Sequence, residues 1–264
     1  MLFSVQNLSA GYAEKEIIHD ISFNVDAHTV LGILGANASG KTTLLKSIGG
    51  LLPHSGQCSI YDESLEKLSF KERAKRISWI PQRSILDESL SVLDIVLMGF
   101  TAHLSLFEQP SNAMRQCAIE AIETVGLANY TDRPYQSLSE GQKQLCIWAR
   151  TLITGSRVML LDEPESALDF HQRRRMLHLV TSWVHDADRC AVIVLHDPQL
   201  AFEVCDCILL LKDGRNVGKI CPKVDSISKM NRDLKEVFTG CTLYECVDNY
   251  HKTHLILLNE PNER

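Results

Sequence analysis

Long apolar runs are missing from this chain of 264 residues. Stretches such as residues 208–211 and 255–258 are short, and none approaches the roughly 18 residues needed to cross a bilayer. The first eleven residues lack a basic region followed by an apolar block, so no signal peptide is expected and the chain is read as cytosolic. Positive charge is also in short supply. With 27 Lys and Arg against 33 Asp and Glu, the net charge of −6 argues against a nucleic-acid partner. The one basic run, Arg173-Arg174-Arg175, is expected to form a solvated helix face. Nine cysteines are present, but Cys205-x-Cys207 and the Cys241, Cys246 pair match no zinc spacing. All nine are therefore expected to be reduced apolar fillers. Repeats and low-complexity segments are lacking too. What remains, at 45% hydrophobic residues, is enough to bury a full core.

Against these absences stands Gly35-Ala36-Asn37-Ala38-Ser39-Gly40-Lys41-Thr42, which fits the phosphate-binding pattern G-x-x-x-x-G-K-[ST]. An apolar strand at 29–34 leads in, and helix-like spacing over 42–48, beginning Thr42-Thr43, leads out. The glycines allow a nest of backbone N–H donors at the positive end of a helix. Lys41 brings a charge to the β- and γ-phosphates, and the Thr42 hydroxyl is a hard oxygen ligand for Mg²⁺. Far downstream, Val158-Met159-Leu160-Leu161-Asp162-Glu163 reads as a buried strand ending in two carboxylates. Asp162 can hold Mg²⁺ through its water shell, and Glu163 can activate an attacking water.

Period-two alternation marks strands in residues 1–30, and further strands are expected at 59–61, 77–80, 158–161, 191–195, 208–211, 217–220 and 255–258. Helical spacing fills 91–152, 172–185 and 230–238. The layout is an α/β nucleotide-binding core interrupted by a helical insertion. Leu138-Ser139-Glu140-Gly141-Gln142 then adds the signature by which the chain resembles the ATP-binding cassette (ABC) family, in which this segment is usually LSGGQ. The resemblance runs over nearly the whole chain. Tyr12 matches the aromatic that stacks on adenine, and Gln82 the loop glutamine between core and insertion. Ser166-Ala167-Leu168-Asp169 matches the D-loop and His196 the switch histidine. Singly, each of these residues has an ordinary surface or loop explanation; their common order does not.

The resemblance implies an ABC-type P-loop NTPase with a RecA-like core, an N-terminal antiparallel β-subdomain and a helical insertion. An ATPase domain is expected over 1–221, with core segments 1–82 and 155–221 around a helical subdomain at 83–154, and a short extension at 222–264. It also implies head-to-tail pairs, each ATP lying between the phosphate loop of one copy and Ser139, Gly141 and Gln142 of the other. ATP and Mg²⁺ are the implied ligands. Residues Gly35, Ala36, Asn37, Ala38, Ser39, Gly40, Lys41, Thr42 and Thr43 would bind the nucleotide, with Tyr12 on its base and Asp169 aligning the partner. Thr42, Gln82 and Asp162 would serve the metal. Glu163 would be the general base, with His196 on the γ-phosphate and Gln82 sensing the attacking water. Three departures stand out: Ala36 and Ala38 where Pro and Gly are frequent, Glu140 for the first signature glycine, and Glu165 where threonine is common. Glu140 is expected to point outward, since an inward acid would oppose closure.

Residues 91–99 and 101–104 resemble the helical insertion of importers for iron–siderophore, haem, cobalamin and related metal chelates. The tail at 230–238 resembles the short ending of that class, whereas Phe100 stands where arginine is frequent. Such importers join two ATPases to membrane permease subunits and, indirectly, a substrate-binding protein, which would place this chain on the inner face of the cell membrane. The permease is expected to dock in a cleft lined by 82–90 and 92–100. Two other functions stay open: the ATPase of another transporter class, and a soluble ABC protein without a transport role.

Overall fold

Alternating apolar residues build an N-terminal hairpin of β1 (Phe3–Tyr12) and β2 (Lys15–Val25), paired antiparallel with Phe3 opposite Val25. The computed structural model describes residues 1–13, 15–82, 89–166, 168–251 and 253–259. β3 (Thr29–Gly35) is followed by a loop and α1 (Lys41–Ile48). The chain then returns through β4 (His54–Ile60) and the two-residue β5 (Glu63–Ser64), which complete a sheet in the order β2-β1-β4-β5. α2 (Phe70–Ala74), capped by Ser69, leads into β6 (Ile77–Ile80).

Three helices follow: α3 (Val92–Leu97), α4 (Asn112–Thr124) and α5 (Glu140–Leu152). Each starts at a serine, Ser91, Ser111 or Ser139, whose hydroxyl accepts a backbone N–H of the first turn. The three pack on one another around Val96, Ile122 and Trp148, all fully buried. Helical spacing is expected over 91–152, and within it Met98–Phe100 is a 3₁₀ turn.

β7 (Val158–Asp162), α6 (Phe170–His185), β8 (Cys190–Val194), α7 (Pro198–Val204), β9 (Cys207–Lys212) and β10 (Arg215–Ile220) close the second sheet. Its order among the described residues is β10-β9-β3-β8-β7-β6, parallel from β9 to β6. The near-continuous apolar strands are buried on both faces, as parallel strands require. Leu31, Ile33, Leu160 and Val192 face α1 and the first sheet, while Leu34, Leu161 and Ile193 face the helices. The tail adds α8 (Ile227–Lys235) and a hairpin of β11 (Cys241–Val247) and β12 (Thr253–Asn259). Met230, Leu234 and Leu243 join the helical-side core, and Gln199 ties α7 to β12 through the backbone of Leu255 and Leu257.

Two expectations need correction. β11 was not foreseen, because only Cys241 and Leu243 point inward and the rest of the strand is largely polar or exposed. The cysteines are not all reduced: Cys207 and Cys221 form a disulfide, with Cα atoms 4.2 Å apart. Pairing of Ile208 with Ile220 in the β9–β10 hairpin puts the next residues outward opposite each other, a juxtaposition invisible in sequence spacing. Cys58, Cys146, Cys190 and Cys205 are free and buried. Within the basic run, Arg174 and Arg175 are exposed and Arg173 is half-buried.

Candidate nucleotide site

Parallel pairing brings the ends of three strands together. Ile33 of β3 lies beside Val194 of β8, and Asp162 of β7 lies on the other side of Val194. The loop after β3, the Asp162–Glu163 pair after β7 and His196 after β8 therefore emerge along one edge. A hollow of about 230 Å³ opens there, lined by residues 37–43, Ile17, Glu163 and His196.

The loop is tight. A Cβ on Gly35 would lie 2.4 Å from the Leu211 carbonyl oxygen, and Gly40 has φ 101°. Ala38 adopts φ 62°, a left-handed conformation that glycine would take at lower cost. No side chain caps α1, so its first-turn amides remain available to an anion. The buried Ser39 hydroxyl likewise has no partner. Lys41 is buried and donates to the carbonyls of Gly35 and Ala36, at 2.9 and 3.0 Å. Burial pushes its pKa down, against the opposing pull of Glu163 and Asp162. An anion in the hollow would restore the preference for the charged ammonium.

Thr42 Oγ1 donates to Asp162 Oδ1 at 3.1 Å. A hydroxyl and a carboxylate are hard oxygen donors of the kind Mg²⁺ takes, directly or through its water shell, so this pair fits the ion. Burial raises the Asp162 pKa, while the Thr42 hydrogen bond opposes the shift. Glu163, with φ 49°, turns its carboxylate into the hollow. Its Oε2 accepts from Gln82 Nε2 at 2.5 Å and contacts His196 Nε2 at 2.6 Å. Gln82 is held in turn, its backbone carbonyl accepting from Gln144. Gln82, Glu163 and His196 thus form one linked group from three separate segments.

Glu165 was noted in the sequence only as a departure. It is buried, its Oε1 accepts the His196 backbone N–H at 3.4 Å, and its Oε2 has no partner among the described residues. Burial pushes its carboxyl pKa up. Nothing in the run Asp162-Glu163-Pro164-Glu165 distinguishes an inward acid from a solvated one.

The other expected site residues lie apart from this hollow. Tyr12 stands exposed in a neighbouring groove with Lys15, Glu16 and residues 52–55; consecutive residues Glu16 and Ile17 line the two depressions. Ser139 caps α5 in a reciprocal box with Gln142. Gly141 abuts Gln172, whose Oε1 would be 2.2 Å from a Cβ at that position, and Asp169 caps α6 by accepting the Gln172 N–H. Ser139, Gly141, Gln142 and Asp169 are thus a second patch. Glu140 is 70% exposed and paired with Lys143 at 2.8 Å.

An apolar cleft of about 700 Å³ lies between α2 and the turn after α3. Its lining includes Leu51, Phe70, Trp79, Met98, Leu104 and Leu106. Of the segments expected to dock the permease, 82–90 and 92–100, Met98 and Gly99 line this cleft, and 83–88 lie outside the described residues. α3 turns Val92, Ile95 and Val96 into the core.

The ABC transporter family pattern matches residues 18–166. An iron chelatin transport ATP-binding protein of Helicobacter pylori is 35% identical over 217 residues, covering 81% of this chain and 85% of that one. The hemin import ATP-binding protein HmuV of Bordetella bronchiseptica is 34% identical over 237 residues, covering 86% and 89%. A metal-chelate type ABC transporter solved in an inward-facing conformation superposes with a TM-score of 0.82 over 97% of each chain, at 26% identity. With the phosphate loop, the paired carboxylates and the signature segment all present, the chain belongs to the ABC transporter family as one of its ATP-binding, ATP-hydrolysing cassettes.

Proposed function

We propose that this cassette energises uptake of a metal chelate, such as an iron–siderophore, haem or cobalamin, through a separate membrane permease. The observation that carries this reading is likeness over nearly the whole chain, tail included, to a metal-chelate type transporter, together with the iron chelatin and hemin import relatives. No helix among the described residues is long and apolar enough to cross a membrane. In this reading the permease is a separate partner, and the chain would sit at the inner membrane face. The apolar cleft supports docking, with Phe70 69% exposed and Leu106 85% exposed beside it.

In this reading the phosphate-loop amides and Lys41 bind the polyphosphate, and Tyr12 stacks on the base. Thr42 and Asp162 would hold Mg²⁺, with Gln82 near it; the ion supplies charge neutralisation of the phosphates. Glu163 takes a proton from the attacking water. Gln82 and His196 hold Glu163 through Oε2, which leaves Oε1 as the proton acceptor. The separation of the Ser139–Gln142 patch from the phosphate loop favours a head-to-tail second copy, which would close the site with Ser139, Gly141 and Gln142, aligned by Asp169. We also assign 1–82 with 155–221 as core, 83–154 as helical subdomain and 222–264 as extension. A substrate-binding protein would act indirectly, through the permease. Reconstitution with the permease in proteoliposomes tests the function. ATP-dependent accumulation of one of the three chelates is expected; accumulation of none, with ATPase intact, refutes chelate import.

A further inference from the structure

Strand β4 carries a histidine and a cysteine four residues apart. A straight strand would hold their Cα atoms about 13 Å apart. Gly56, between them, has φ 85°, and the pairing of β4 with β1 loses register between Gln6 and Ser9. A Cβ at Gly56 would lie 2.4 Å from the Asn7 carbonyl oxygen, so only glycine permits this irregularity. A His54 ring nitrogen, Cys58 Sγ and a Glu66 carboxylate oxygen consequently all lie within 4.8 Å of one another.

We propose that His54, Cys58 and Glu66 form a binding site for a divalent transition cation of the Zn²⁺ type. His54 Nε2 stands 3.3 Å from Glu66 Oε1. Nitrogen and oxygen donors on a tetrahedral zinc, with bonds of about 2.0–2.1 Å, are separated by about 3.3 Å. The opposite ring nitrogen, Nδ1, faces the Leu52 carbonyl at 3.5 Å. With the proton on Nδ1, directed at that carbonyl, the Nε2 lone pair is free to take a cation on the Glu66 side; without a cation, a proton on Nε2 joins the same two atoms in a hydrogen bond.

The carboxylate is held by supports of its own. Oε1 accepts the Cys58 N–H at 2.7 Å, and Oε2 accepts the Ser64 hydroxyl at 2.9 Å. The His54 side chain is 6% exposed, Cys58 is fully buried and Glu66 is 31% exposed, so a cation would enter past Glu66. One thiolate, one imidazole and one carboxylate select a cation of intermediate softness over Mg²⁺ or Ca²⁺. Binding replaces the Cys58 S–H bond with an S–metal bond and releases the proton to solvent, and water fills the fourth position. Residues 52–55 also line the groove that holds Tyr12, so the cation would pin one wall of that groove.

The test is titration of the nucleotide-free full-length protein with Co²⁺, followed by its thiolate-to-cobalt absorption. One saturating equivalent, displaced by Zn²⁺, is expected. Cys58→Val should abolish the band while keeping the buried volume apolar. His54→Gln and Glu66→Gln, which lie nearer the surface, should each weaken binding by about tenfold or more, and circular dichroism would check that all three variants fold. Absence of the band in the native protein overturns the proposal, as does its persistence in Cys58→Val or unchanged affinity in both other variants. Because the readout needs neither ATP nor permease, failure here leaves the transport reading untouched.

Discussion

Replacing Glu163 by glutamine keeps the length of the side chain and removes its ability to accept a proton. In the structure Oε2 meets Gln82 at 2.5 Å and His196 at 2.6 Å, and an amide oxygen in the same place can still accept from both. The cost to the fold is therefore limited to the difference between a charged and a neutral acceptor, about 1 kcal/mol for this buried group. The cost to turnover is larger. A positioned general base contributes about 10²- to 10⁴-fold, or about 2.7–5.4 kcal/mol of barrier. Glu163→Gln should lower kcat by that range and leave the ATP dissociation constant nearly unchanged, because Lys41 and the loop amides are untouched. Trapped in the ATP state, the variant should also elute as a dimer in gel filtration. Phosphate release at saturating ATP, equilibrium nucleotide binding and gel filtration measure the three effects. Hydrolysis within about tenfold of native, below what a general base supplies, would refute the assignment.

Lys41→Ala should have the opposite profile, with ATP affinity lost because the buried ammonium lining the hollow is gone; an unchanged dissociation constant would contradict its role. Phe70→Asp combined with Leu106→Asp should reduce co-purification of the permease by about tenfold or more, since each apolar side chain buried at a partner contributes about 1.5–3 kcal/mol, while basal ATP hydrolysis by the isolated cassette stays native. Full co-purification and transport would move the docking surface elsewhere. Burial raises the Glu165 carboxyl pKa, so the fold favours its protonated form. That stability is fully present below the unfolded value of about 4.5 and is lost as pH rises through the folded pKa. Glu165→Gln should therefore gain thermal stability relative to native as pH is raised from about 4 to 8, and parallel melting profiles would sink this account.

Much of the site is local and was legible in the chain itself. The phosphate loop is set by the steric demands of Gly35 and Gly40, the start of the helical insertion by Ser91, and the parallel strands by runs such as residues 158–161. These depend on backbone sterics and hydrogen bonds within a few residues, so composition and spacing determine them. Which strands neighbour one another is decided by tertiary packing. Only the placement of β8 between β3 and β7 brings Lys41, Glu163 and His196 to one hollow. The same nonlocal pairing sets Cys207 against Cys221, turns Glu165 inward beside His196, and gathers His54, Cys58 and Glu66. The apolar cleft at Phe70 and Leu106 is likewise nonlocal: α3 spends its apolar face on the core, and the cleft lining belongs to segments distant in sequence. Local chemistry thus follows from the order of residues, whereas the partners of each side chain follow from which surfaces packing leaves adjacent.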